Sequence, residues 1–236
     1  MNRRSMLTGM VAAGFDLEAQ VNSPGSGSLY IPKSNLVEDR KLLHGFMDEF
    51  SFVDLVTAEP AIRISHIPIA LDRDTGKNGA LYGHISRQNQ QTEAILTGRN
   101  AVAVFHGPHA YISPTWYSKE EVVPTWNYAS VHASGKLRAV TDENAVRDLL
   151  SKLVRKFEEP NSPYDFAKLP RSYTSGLIAG ILAFELEIEL LEGKFKLGQE
   201  RSAADKDGIL QHLRAAHPEL SLYELTAGFY ARPRSQ

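Results

Sequence analysis

Arg87 stands with His84, Ser86 and Asn89 in the run Gly83 to Asn89, a set of hydrogen-bond donors at the end of a β-rich segment. A guanidinium flanked by neutral donors suits an anion, because several donors can share the oxygens of one phosphate or carboxylate. The same residues also fit a plainer role, in which His84 and Ser86 satisfy backbone groups and Arg87 is a surface cation. Five histidines lie from His66 to His132, a number that raises metal or haem ligation, for which one axial imidazole suffices. Neither an HExxH pattern nor an acidic cluster at zinc-like spacing accompanies them, so no metal site is expected. Glu185, Glu187 and Glu189 look at first like acid-base groups. They alternate strictly with Phe184, Leu186, Ile188 and Leu190, which reads instead as a strand with one wet face. Trp126 and Asn127 fall in a second polar-aromatic cluster with Thr125, Tyr128 and His132. Aromatic residues serve cores and subunit contacts as readily as cofactors.

Composition narrows the classes of function. The chain has 236 residues, 42% of them hydrophobic and 23% charged, enough to bury one sizeable core. Its formal net charge of -2 provides no global field to attract a phosphate backbone, so any DNA contact would need a local basic patch. Without cysteine there is no disulfide, thiolate metal site, iron–sulfur cluster or cysteine nucleophile. A glycine-rich dinucleotide fingerprint and a P-loop are both missing, which disfavours the familiar nucleotide-binding folds.

The elements that must position these residues are mostly strands. Residues 1–28 read as an extension: Arg3-Arg4 followed by a short apolar run resembles a twin-arginine export signal, while the polar stretch Asn22 to Ser28 reads as a flexible leader. Export would place the protein in the periplasm, and its absence in the cytoplasm. Beyond the extension, residues 29–236 read as a single domain with no segment apolar enough to span a bilayer. A capping box at Asn35 to Glu38 predicts a helix to about Phe50. Short β runs follow at 51–58, 62–71 and 80–86, then a short helix at 90–97 and an apolar strand at 101–106 with both faces buried. The segment Val122 to Val140 reads as a long bent strand or a pair broken near Gly135, and Asp142 caps a helix through about Glu158. Glu192-Gly193 predicts a tight turn, with Phe195 and Leu197 on a returning strand. Two terminal helices complete a mainly β, α+β chain, best read as a closed or nearly closed antiparallel barrel with peripheral helices.

The runs GHISRQN (83–89), VFHGPHAYISPTWY (104–117) and VPTWNYASVHASGKL (123–137) occur in order with Tyr30-Ile31-Pro32, Ser65-His66-Ile67-Pro68 and KFKLGQ (194–199). Together they resemble the PaiB family, described as FMN-binding negative transcriptional regulators, over nearly all of residues 29–217. The resemblance implies a flavin-reductase-like split barrel, usually a homodimer with FMN at the subunit interface. It suggests His66, His84, Ser86, Arg87, Asn89, Trp126 and Asn127 as cofactor-binding residues. The phosphate would lie at the strand-to-helix corner of Arg87, aided by the N-terminus of the helix near Gln90, and the ring beside Ser65 to Pro68. Family members commonly carry Gln where this chain has His106, and Asn where it has Glu200. The alternatives left open are a flavin-dependent oxidoreductase, a haem-binding split barrel and a regulator that contacts DNA. For the last, no helix-turn-helix is recognisable, and the basic residues around Arg147 to Lys156 read as a solvated helix face.

Overall fold

A computed structural model describes residues 27–118, 121–216 and 222–232. The twin-arginine-like run and most of the leader lie outside the described residues. Eight antiparallel strands form one sheet, and seven of them run in the order β3 (Arg63–Pro68), β2 (Phe52–Thr57), β6 (Asn100–Ile112), β7 (Thr125–Val140), β8 (Ile181–Lys196), β5 (Ala80–Ser86), β4 (Ala70–Asp72). The short β1 (Leu36–Val37) adds to β8. The two ends of that path, β3 and β4, are joined in the chain by Ile69 alone, so the sheet must curl back on itself. No ladder of hydrogen bonds links the two, and the barrel is curled but split.

Alternation along the strands builds the interior. Leu55 of β2, Ala103 and Phe105 of β6, Val131 and Ala133 of β7, Phe184 and Leu186 of β8 and Leu81 of β5 meet in one core. Burial of these side chains is worth ~1.5–3 kcal/mol for each large one. The helix α1 (Arg40–Glu49) adds Leu43, Phe46 and Met47 to that core. A short helix α2 (Thr92–Leu96) follows β5. The helix α3 (Glu143–Phe157), capped by Asp142 as its sequence predicts, packs Val146, Leu149 and Leu153 on Ala70 and Ala183 outside the barrel. α4 (Arg171–Ala179) leads into β8, and α5 (Ala203–Ala216) and α6 (Leu222–Tyr230) add Ile209, Leu213 and Leu222 to the core.

Four expectations are corrected. α1 begins at Arg40, where the Asp39 carboxylate accepts from the Leu42 amide at 3.1 Å. Asn35 instead closes a 3-10 turn, because Leu36 and Val37 are drawn into pairing with Lys194 and Gly193. Glu192-Gly193 is not a turn: β8 continues through it for 16 residues, held by β7 on one side and β1 on the other. The glycine serves close packing, since a Cβ there would lie 2.2 Å from Cδ2 of Leu43 on α1. Glu185 is 7% exposed rather than solvated, and its carboxylate meets Arg138 at 2.6 Å. The strand at 101–106 is longer, and only its inner face is fully buried, with Val102 and Val104 half-covered.

Gly135 marks the break expected in the long strand. β7 is continuous, but its register against β8 shifts between Ser134 and Gly135. A Cβ at Gly135 would fall 1.9 Å from the carbonyl oxygen of Glu187, so the strands can approach only without a side chain.

Candidate functional site

The turn after β5 carries Arg87 to Asn89 out of the sheet beside β3, and the end of α4 closes the third side. These elements bound an open groove of about 610 Å³ lined by Ser65, His66, Pro68, His84, Asn89 and Gly180 among others. Arg87 stands beside it in the chain, between the lining residues Ser86 and Asn89, and is fixed by the backbone of the α4–β8 connection. Its Nε donates to the Ala179 carbonyl at 2.9 Å and its amide to the Gly180 carbonyl at 3.0 Å. Its Nη groups make no hydrogen bond or ion pair with the described residues, which leaves an oriented guanidinium facing solvent.

Asn89 is the staple of the corner. Its Nδ2 donates to Ser65 Oγ at 2.8 Å, and its Oδ1 accepts from the Gln91 amide at 2.8 Å. The Asn89 carbonyl takes the Thr92 amide at 3.0 Å. These bonds bear on one expectation: α2 is only five residues long, and the amides of Gln91 and Thr92 at its start are taken by Asn89. Sequence reasoning passed over Gln91, which is buried and reaches Leu55 O at 3.0 Å and Arg63 O at 3.1 Å, pinning the turn to β2 and β3. Glutamine beside a glutamine-rich turn carries no signal of such a role.

His84 points into the groove wall, with its Nδ1 buried and without a partner among the described residues. Burial pushes its pKa down, which keeps the imidazole neutral near pH 7. Ser86 Oγ accepts from the Gln88 amide at 3.2 Å. His66 is exposed and hydrogen-bonded through Nδ1 to Asp54, which also meets Nε2 of His106 at 2.9 Å. Desolvation works to raise the Asp54 carboxyl, but the hydrogen bonds and charges of the two imidazoles outweigh it and hold the group below the usual carboxylate range. Asp54 was also missed. Its signal was an acid between Phe52 and Val56 on the outer face of an apolar strand.

The corner thus gathers His66, His84, Ser86, Arg87 and Asn89, but not Trp126 and Asn127. β8 pairs with Ser86 at Ile181 and with Tyr128 at Lys196, at opposite ends of the strand. Asn127 faces the barrel interior and is buried, whereas Trp126 stands outside, 52% exposed.

The groove suits a phosphate-bearing ligand with a flat ring. Arg87 supplies an oriented cation, and the orphaned buried nitrogen of His84 is a polar atom awaiting a partner. Ile67 and Pro68 provide apolar surface along β3. Among the described residues no helix is long and apolar enough to cross a membrane.

Comparison with known proteins identifies the family and the fold. A family model described as "Putative FMN-binding domain" matches residues 29–190. The chain is 31% identical over 189 residues to protease synthase and sporulation protein PAI 2 of Bacillus subtilis, covering 79% of this chain and 89% of the relative. Among solved structures, the FAD and heme binding protein from Mycobacterium smegmatis superposes with a TM-score of 0.53 at 19% identity, over 69% of this chain and 73% of that one. The flavocytochrome Anf3 from Azotobacter vinelandii gives a TM-score of 0.50 at 11% identity, over 70% and 72% of the respective chains. At those identities the two structures speak for the split-barrel fold alone. The curled eight-stranded sheet, the ordered motifs and the matched length agree: the chain belongs to the PaiB-type family of FMN-binding split-barrel proteins.

Proposed function

We propose that the chain binds FMN at the corner between β3, β5 and α4, and works as a flavoprotein. The oriented Arg87 guanidinium is the observation that carries this reading. Its Nη groups receive the phosphate, with Ser86 beside them, while Ser65 to Pro68 flank the ring. Neutral His84, on the wall of the groove, borders the ligand. Bound FMN supplies one- and two-electron transfer, and the protein supplies position and electrostatics. Two of the histidines open to a haem reading, His66 and His106, are less apt because they already face a shared carboxylate.

A DNA-binding role draws no support from α3. Arg147 is buried and bonded to Thr174, Lys156 meets Asp48 at 2.9 Å, and Lys152 lies over the Tyr82 ring. These cations serve the fold instead of an open surface. We further propose that a second copy of the chain covers the outer face of β2 and β3. Phe52, Ile62 and Ile64 are exposed there, Ile62 by 74%.

Titration of flavin fluorescence tests the cofactor. Quenching that saturates with FMN, and weakens at least about tenfold in Arg87→Ala, is expected from loss of a charge-assisted contact. An unchanged affinity in the variant would misplace the phosphate, and no FMN affinity in the native protein, or a Soret band on addition of haem alone, would overturn the reading.

A further inference from the structure

The run KFKLGQ places two lysines where the corner makes no use of them. Lys194 and Lys196 are two apart on β8, so both point to the outer face of the barrel. Lys194 is only 9% exposed, yet its ammonium makes one hydrogen bond, to the Tyr30 carbonyl at 2.9 Å. It forms no ion pair with the described residues, and the rings of Tyr30 and Tyr128 lie 5.4 Å away on each side. Lys196 Nζ donates to Thr125 Oγ1 at 2.5 Å and likewise forms no ion pair with the described residues. The nearest acid along the strand, Glu192, is engaged by the amide and hydroxyl of Ser28 at 2.9 and 3.1 Å. A nearly buried cation without an anion is costly to desolvate, and an anionic ligand would offset that cost.

Aromatic surface surrounds the two ammoniums. Tyr128 sits opposite Lys196 in the β7–β8 ladder, and Trp126 is next on that same face of β7. Trp126 lies edge-on to Tyr111 of β6 at 6.1 Å, and both rings are open to solvent. Two positive charges without an ion-pair partner among the described residues thus adjoin exposed π faces, on a chain whose formal net charge is -2. That pairing of charge and ring is the chemistry of a planar aromatic anion. We infer that Lys194 and Lys196, with Tyr30, Tyr128, Trp126 and Tyr111, form a binding site for an aromatic phosphate or carboxylate of mononucleotide size, separate from the Arg87 corner. The site stands whether or not FMN occupies the corner.

Calorimetric titration of the full chain and of its Arg87→Ala variant, which lacks the corner's phosphate contact, with 4-nitrophenyl phosphate, followed in parallel by tryptophan emission, tests the inference. Saturable binding with quenching is expected to remain in Arg87→Ala, and to weaken at least tenfold when Lys196→Met or Lys194→Met is added to it. Circular dichroism identifies a variant that fails to fold, and the half-buried Lys196 carries the test if Lys194→Met does. Equal binding of 4-nitroanisole, which lacks the charge, would overturn the role of the lysines. Loss of binding in Arg87→Ala alone would also overturn it, while leaving the FMN reading intact. A single-stranded oligonucleotide that bound a hundredfold tighter than the phosphate would replace the small ligand with nucleic acid and overturn the inference as stated.

Discussion

The side-chain amide of Asn89 donates to the hydroxyl of Ser65 at 2.8 Å, tying the turn after β5 to the strand that borders the groove. One asparagine thereby holds two walls of the candidate site at a fixed separation, while its carbonyl oxygens organise the start of α2. Asn89→Ala should cost about 1–3 kcal/mol of stability, because the buried Gln91 amide loses its acceptor. It should also weaken FMN binding without touching the phosphate directly. Ser65→Ala, which removes one bond only, should show a smaller change in both urea midpoint and FMN titration. Equal and negligible effects would mean that the corner is held by Gln91 alone.

Acid should destabilise the fold beginning at mildly acidic pH. Burial lowers the pKa of His84, and burial together with the charge of His106 lowers that of His132 against the pull of Glu192. Their folded values therefore lie below the ordinary 6.5, so the unfolded chain binds protons first. Stability is complete above that value and declines as the pH falls through it toward the depressed folded values. Urea midpoints measured from pH 8 to pH 5 should fall, and the slope should flatten in His84→Gln. A slope that is unchanged in the variant would remove His84 as a contributor.

Gly135→Ala should be among the more damaging single-methyl changes in the sheet. The added carbon would meet the Glu187 carbonyl at 1.9 Å, and the obstacle is backbone that cannot rotate aside. A loss on the order of 3 kcal/mol follows from overpacking of this kind. Hydrogen exchange at the Gly135–Ile188 pairing should rise more than at the distant β2–β3 ladder. A stability within about 0.5 kcal/mol of the native protein would contradict the tight approach.

The proposed dimer is checked by sedimentation equilibrium. Native protein should sediment at twice its chain mass, and Ile64→Lys should shift it to the monomer with its circular dichroism retained. Ile64 lies opposite Val56 on the outer face, where its replacement disturbs no buried contact. A native monomer would remove the proposal.

Much of the fold was legible because side-chain period is a local property. Alternation at Phe184 to Leu190 and the cap at Asp142 correspond to β8 and α3. The failures came where a distant partner decided. Asn35 has the chemistry of a helix cap, but its neighbours were claimed by β8, more than 150 residues away. Glu192-Gly193 has turn chemistry, but strands on both sides hold it extended. At the site, the spacing from His84 to Asn89 kept four residues together because they share the end of β5 and the turn after it. His66 joined them through the β3 side of the groove, and Trp126 and Asn127 did not, since no local pattern reports which end of a long strand a neighbour meets. Gln91 and Asp54 acquire their roles from contacts 28, 36 and 52 residues away, and residue type alone could not disclose them.

The central position of β8 has a consequence for synthesis of the chain. During translation, β5 and β7 leave the ribosome with open edges that only residues 181–196 can close. Until then the sheet is two separate pieces, with their pairing groups exposed to other nascent chains. Contacts of such long sequence separation slow folding, so refolding should be limited by the docking of this strand. A fragment ending at residue 190, where the family match stops, would keep the β5 ladder but lose the β1 pairing and the far end of β7. Expression screens that trim the protein to its matched segment would therefore cut through the strand on which the two halves assemble.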